Sequence, residues 1–150
     1  MNKVKTVIAS VAILIAAFGC KPKVKPIEYG KQACDYCRMS IVDERYAAQL
    51  VTSTGKAYSF DAIECMINYK HENSGSEWQM ELVTDYNNPR KLIPAEGATI
   101  VRSKQLPSPM GMYLTAVANK IEADKLLQNN IGEQYPYPDV ATGLENLPAL

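Results

Sequence analysis

The chain has 150 residues, in which 16 Lys and Arg residues balance 16 Asp and Glu residues. This length fits one domain or two very small ones. The neutral charge and the absence of a basic cluster argue against nucleic acid as a partner. A single histidine and the lack of a Gly-rich phosphate loop, HExxH or GxSxG motif leave enzymatic activity unsupported, so we predict that the protein is not an enzyme.

Residues 1–19 have the composition of an export signal. Lys3 and Lys5 form a basic start, residues 7–18 are apolar, and Gly19 precedes Cys20. A cysteine after a small residue at this point is typical of lipoprotein processing, so we predict that Cys20 becomes the lipidated N-terminus. The apolar run is shorter than the ~20 residues that cross a bilayer. An ordinary signal peptide with an incidental Cys20 is the alternative.

The export signal predicts a location outside the cytoplasm, with a lipid anchor in the cell membrane or outer membrane and the protein facing the periplasm. Its removal leaves 14 basic and 16 acidic residues. It also leaves three cysteines for the folded part, since lipid occupies Cys20. Three thiols cannot all pair in disulfides, and a bound metal would account for the odd one.

A tether is predicted over residues 20–33, which contain two prolines and several charges. It leads to Cys34-Asp35-Tyr36-Cys37-Arg38-Met39, which holds two thiols and a thioether within six residues. Soft sulfur donors select Cu(I), Zn(II) or iron–sulfur clusters over hard cations. Met39 favours Cu(I), because methionine is not a usual zinc ligand. Thiol–disulfide oxidoreductase chemistry at the CxxC, or a plain disulfide there, is the alternative.

Three segments alternate between apolar and polar residues as strands do: residues 46–53, 56–60 and 78–84. The first two flank Thr54-Gly55, so the sequence predicts a tight hairpin at this point. The third segment is predicted to return as a strand after a helix.

That helix is predicted over residues 62–72, with Asp61 as its N-cap and Glu64 in the capping-box position. Met66 lies on the apolar face and is predicted to be a core residue. Cys65 is either a small buried hydrophobe or a zinc ligand. The zinc hypothesis would use a Cys₃His set consisting of Cys34, Cys37, Cys65 and His71.

The second half repeats this order in weaker form, with strands at residues 98–101 and 112–117 and a helix at 119–128. The repetition indicates duplicated half-domains. Between the two strands, Met110 follows Pro107 and Pro109 and precedes a glycine, so a restrained loop would present it as a metal ligand. Met112 either does the same or begins the following strand as an inward residue. From Gly132 the proline-containing tail is predicted to be extended or disordered.

Taken together, these features resemble the NosL family of copper-binding lipoproteins, which are accessory to nitrous oxide reductase. The resemblance spans residues 34–118. The matching segments, besides the lipoprotein cysteine, are residues 34–39, Ser59-Phe60-Asp61, Glu64-Cys65-Met66, Val83-Thr84-Asp85-Tyr86, Pro109-Met110-Gly111, Leu114 and Ala116.

The resemblance implies an α+β fold of two small ββαβ-like halves, each with an antiparallel hairpin and one helix, within residues 34–131. It also implies one Cu(I), which is passed with the help of an ABC-type complex to the copper-sulfide centre of nitrous oxide reductase. Carried over by motif, Cys37, Met39 and Met110 are the metal ligands, and Cys34 is a secondary candidate. Met112 is a further secondary candidate because of its place beside the methionine loop.

Two features depart from the family pattern. Arg38 stands where the family often has glycine, which affects how the turn between Cys37 and Met39 closes. A Met- and His-rich C-terminal tail is missing, which argues against a second copper site of that kind. Besides the oxidoreductase, the remaining alternatives are a copper scavenger or sensor lipoprotein and a structural lipoprotein with incidental thiols.

Overall fold

A computed structural model describes residues 22–150. The predicted export signal and Cys20 lie outside the described residues. Between residues 22 and 150, no helix combines the length and apolar character that crossing a membrane requires.

The first half is a four-stranded antiparallel sheet with one helix. Its elements in chain order are β1 (Ala48–Thr52), β2 (Ala57–Phe60), α1 (Ile63–Glu72), β3 (Trp78–Thr84) and β4 (Leu92–Pro94). The predicted hairpin joins β1 to β2, and Gly55 supplies the positive φ of 84° that its turn requires. The strand order is β2-β1-β3-β4, so β1 and β3 form the middle of the sheet.

The second half repeats this arrangement with three strands. Its elements are β5 (Thr99–Arg102), β6 (Leu114–Val117), α2 (Lys120–Leu127) and β7 (Glu133–Pro136). The order is β6-β5-β7, so in each half the first strand lies between the second and the third. The predicted α+β fold of two ββαβ-like halves is therefore confirmed, with β4 as an addition to the first half.

One apolar core joins the two halves. Phe60 and Ile63 from the first half and Ile100 and Leu114 from the second belong to the same buried cluster. The first turn of α1 is buried all round, because all five residues from Ile63 to Ile67 are buried. The helix therefore begins inside the protein, and a side chain on its first turn meets other buried groups rather than solvent.

The tail differs from its prediction as an extended or disordered segment. β7 pairs with β5, and a short helix, α3 (Tyr137–Ala141), buries Tyr137 and Val140 in the core. The prolines do not prevent this. Pro136 ends β7, which is an edge strand, and Pro138 lies in the first turn of α3, where no helical hydrogen bond needs its missing N–H.

The predicted tether also differs, because its second half packs on the domain. The side-chain amide of Gln49 accepts a hydrogen bond from the Lys25 N–H at 3.0 Å and donates one to the Lys25 carbonyl at 2.9 Å. Ile27 and Tyr29 pack against the core. The ordered fold therefore starts near Lys25 rather than at residue 34.

Candidate metal centre

Residues 34–39 form a tight loop that closes on itself. The Cys34 N–H donates to the Met39 carbonyl at 2.8 Å, and the Arg38 N–H donates to the Cys34 carbonyl at 3.1 Å. Ala33 and Ser40 form an antiparallel bridge at the base of the loop. The loop thereby fixes the backbone on both sides of Cys37.

The loop is fastened to the end of β2 through Asp35. The Asp35 N–H donates to the Ser59 carbonyl at 2.9 Å, and the Ser59 N–H donates to Asp35 Oδ2 at 2.7 Å. Because Ser59 is near the end of β2, this attachment brings the loop to the point where the chain turns into α1. Two cysteines on the loop therefore meet the first turn of the helix.

Four side chains converge there, and we refer to Cys34, Cys37, Asp61 and Cys65 as the thiol cluster. Their sulfur and carboxylate oxygen atoms all lie within 4.8 Å of one another. Cys34 and Cys65 are 0% exposed and Asp61 is 3% exposed, whereas Cys37 is partly exposed. All three thiols are free. Three of the four donors are soft thiols, which suit a thiophilic metal ion.

The role predicted for Asp61 as a helix N-cap is wrong. Ala62 occupies the N-cap position of α1, and no side chain caps the helix. Asp61 Oδ2 instead accepts a hydrogen bond from the Cys37 thiol at 3.6 Å, and its Oδ1 is buried without a hydrogen-bond partner. A buried, unpartnered carboxylate oxygen is costly. Its presence beside three thiols indicates that this group serves the cluster rather than the helix.

The buried thiols do not share their protons equally. A hydrogen bond from Cys65 lowers the pKa of Cys34 to about 6, although burial acts in the opposite direction. The same hydrogen bond raises the pKa of Cys65, which is also buried. Burial is the main cause of the raised pKa of Cys37. The two buried thiols therefore shift each other's pKa in opposite directions through one hydrogen bond.

The three candidate methionines lie in two different environments. Met39 is 50% exposed and Met110 is 37% exposed. Met112 is partly buried against the core, and its backbone carbonyl accepts a hydrogen bond from Arg102 Nε at 3.3 Å. Two methionines are thus available at the surface, while Met112 takes the role of an inward core residue.

Glu64 links α1 to the loop that carries Met110, instead of serving in the predicted capping box. It is 2% exposed, and its Oε1 accepts a hydrogen bond from Ser108 Oγ. Ser108 Oγ in turn accepts from the Tyr113 N–H at 2.9 Å, and the Ser108 carbonyl accepts from the Gly111 N–H at 3.0 Å. Burial raises the pKa of Glu64. A buried polar contact therefore ties the methionine loop to the helix that holds Cys65.

His71 does not join the predicted zinc set. Its side chain is exposed at the last turn of α1, and Nε2 lies 3.0 Å from the Ala141 carbonyl oxygen. Within residues 22–150, Asp61 takes the fourth place in the cluster instead. Sequence reasoning missed Asp61 as a member of the cluster, because the attachment of the CxxC loop to the end of β2 joins segments that are distant in the sequence.

Arg38 has a φ of 67°, which is the left-handed region that favours glycine. A non-glycine residue there costs roughly 1–2 kcal/mol. Glycine would adopt this conformation at a lower cost, yet the Cys37–Met39 turn keeps its closed form with the arginine.

Comparisons with known proteins agree with this architecture. The profile of the NosL family matches residues 26–144. The crystal structure of the copper chaperone NosL from Shewanella denitrificans superimposes with a TM-score of 0.66 at 18% identity, covering 78% of this chain and 94% of that chain. No curated protein gives a match. At this identity the structural likeness shows the fold alone, but the family profile spans most of the sequence, so the chain belongs to the NosL family.

Proposed function

We propose that the protein is a lipid-anchored carrier of Cu(I) that delivers the ion to nitrous oxide reductase for assembly of its copper-sulfide centre. The observation that carries the proposal is the group of three free thiols, two of which are buried. The accessible third thiol, Cys37, is followed closely by the exposed Met39. Family membership and the fold shared with a copper chaperone support it.

The proposed ligands for transfer are the Cys37 thiolate and the thioethers of Met39 and Met110. Cys37 supplies the anionic and strongest bond, whereas the methionines supply neutral and weaker ones. Their exposure at the surface suits a ligand exchange in which the groups of an acceptor enter one at a time. A thioether has no proton to gain, so it stays a ligand under mildly acidic conditions outside the cytoplasm.

The anchor and partners form part of the same proposal. Lipid on Cys20 would hold the carrier on the periplasmic side of the cell membrane or outer membrane. An ABC-type complex would assist transfer to the reductase. These elements rest on the sequence motif and on resemblance to the family.

The second candidate, a thiol–disulfide oxidoreductase, fits the cluster less well. Such an enzyme attacks with an accessible thiol whose pKa is lowered. Here the lowered pKa belongs to Cys34, which is completely buried, and the accessible Cys37 has a raised pKa. The two properties are divided between two residues, which disfavours direct attack on a substrate disulfide.

Titration of the reduced full chain with Cu(I) in detergent, in competition with a coloured Cu(I) chelator and without oxygen, tests the proposal. We expect one Cu(I) per chain and much weaker binding of zinc. The control variant His71→Ala should bind Cu(I) as the wild type does, because His71 lies outside the cluster. A stoichiometric zinc complex that Cu(I) does not displace would contradict the proposal.

A further inference from the structure

Only one member of the thiol cluster, Cys37, is among the proposed transfer ligands, so the other three members have no role in the transfer site. Cys34 and Cys65 are 0% exposed and free, and Asp61 carries a buried oxygen without a partner. Packing alone does not account for them, since a core built only for stability favours apolar side chains over a carboxylate. The sulfur atoms of Cys34 and Cys65 lie within 4.8 Å of the sulfur of Cys37, the one member that the proposed transfer site shares.

We propose that the cluster is an inner position for Cu(I), formed by the Sγ atoms of Cys34, Cys37 and Cys65. From this position the ion moves to an outer position formed by Cys37, Met39 and Met110, from which it is handed over. The inference rests on the proposed function and deepens it: the same single ion has a resting site and a transfer site, and Cys37 belongs to both.

The distances allow the inner position. Because the donor atoms are separated by at most 4.8 Å, a point exists within about 2.8 Å of all three sulfurs (4.8/√3). Metal–thiolate bonds are about 2.3 Å long. Side-chain rotations that move each sulfur by a few tenths of an ångström therefore bring the three sulfurs to bonding distance without a change in the fold.

Asp61 orients the thiol of Cys37 instead of binding the ion. A carboxylate oxygen is a hard donor and a poor ligand for Cu(I). Its Oδ2 accepts the hydrogen bond of Cys37, which aims that sulfur into the cluster while it is still a thiol. Asp61 is only 3% exposed, so little water can compete for this hydrogen bond.

Burial gives the two positions different properties. At the inner one, Cys34 and Cys65 exclude water and oxygen from the ion. At the outer one, Met39 and Met110 are 50% and 37% exposed and can meet the ligands of an acceptor.

The transfer between the two positions is a ligand exchange without electron transfer. The bonds from Cu(I) to Cys34 and Cys65 break as bonds to the two thioethers form, and the Cys37 bond persists. Copper stays Cu(I), and the protons released when thiols bind, or regained when they are freed, exchange with water.

X-ray absorption at the copper edge distinguishes the two positions when the full chain is labelled with selenomethionine and loaded with one Cu(I). We expect only sulfur neighbours in the wild type, because the resting ion touches no methionine. In Cys65→Ala the inner position loses a ligand, so selenium neighbours should appear. Met66→Leu is the matched control, since it changes a buried side chain on the same helix outside the cluster and should leave the spectrum unchanged.

The wild-type spectrum decides the question even if Cys65→Ala fails to fold. Selenium neighbours in the wild type at one Cu(I) per chain would overturn the inner resting position while leaving the Cu(I) carrier intact. Binding of two Cu(I) ions at once would overturn the proposal that a single ion moves between the two positions. If the wild type binds no Cu(I), the proposed function itself fails.

Discussion

Cys37 is the residue on which the copper account depends most. It is the accessible thiol of the cluster, it is held by the closed loop 34–39, and it belongs to both proposed copper positions. Cys65 differs because it is completely buried and belongs to the inner position alone. The two cysteines should therefore respond differently to the same substitution.

Cys37→Ser should lose tight Cu(I) binding, because a hydroxyl is a poor ligand for a soft ion and no other residue joins the two positions. Cys65→Ser should still bind one Cu(I) through the outer ligands. It should lose roughly 1–3 kcal/mol of unfolding free energy if the buried hydroxyl finds no partner. Chelator competition and chemical denaturation measure the two quantities. Loss of copper from Cys65→Ser but not from Cys37→Ser would contradict these roles.

At the scale of elements, the contact between α1 and the β5–β6 loop is the one that matters most for the site. Glu64 reaches from the buried first turn of the helix to Ser108, 44 residues later in the chain. This hydrogen bond joins α1, which holds Cys65, to the loop that presents Met110. Burial raises the pKa of Glu64 above its ordinary value of 4.5, so the folded state favours the protonated carboxyl.

The stability of the metal-free wild type relative to Glu64→Gln should therefore depend on pH. With a raised folded-state pKa, the stabilisation from Glu64 is complete below pH 4.5 and is lost as pH rises through the folded-state pKa. Glutamine carries no charge and keeps an oxygen that accepts the hydrogen bond from Ser108. The stability of Glu64→Gln relative to the wild type should therefore increase as pH rises from 4.5 toward 7.

Chemical denaturation of the two proteins across this pH range checks the expectation. Glu77→Gln is the matched control, because it makes the same chemical change at an exposed glutamate. A stability difference that stays constant with pH, or that moves in favour of the wild type, would contradict the role of burial at Glu64.

The elements themselves were largely predictable from sequence, because they depend on local patterns. The β1–β2 hairpin, α1 and β3 appear where alternation, helical spacing and Gly55 indicate them. The contacts that build the site were less predictable, because they join distant parts of the chain. The role of Asp61 depends on its contact with Cys37, which lies 24 residues earlier in the sequence. Likewise, β7 forms only because it can pair with the free edge of β5.

At the scale of the whole molecule, the proposed ligands come from both halves. The cysteines belong to the N-terminal loop and to the first turn of α1, whereas Met110 lies between β5 and β6 of the second half. In the repeated arrangement this loop corresponds to the β1–β2 turn of the first half. One continuous core holds the halves together, so the two kinds of sulfur ligand come from segments that pack on the same buried cluster.

Met110→Leu is the change that tests this account most directly. Leucine keeps the volume and apolar character of methionine, so the substitution should lower the free energy of unfolding by less than ~1.5 kcal/mol. The sulfur donor, however, is lost. The measurement is transfer of Cu(I) from the loaded full chain to copper-free nitrous oxide reductase, with copper content of the reductase as the readout. We predict that the wild type supplies the reductase, whereas Met110→Leu, which keeps the three thiols of the inner position, still binds Cu(I) but leaves the reductase poor in copper. Equal transfer by the two proteins, together with disulfide-reducing turnover through Cys34 and Cys37, would contradict the copper-carrier account in favour of a thiol–disulfide oxidoreductase.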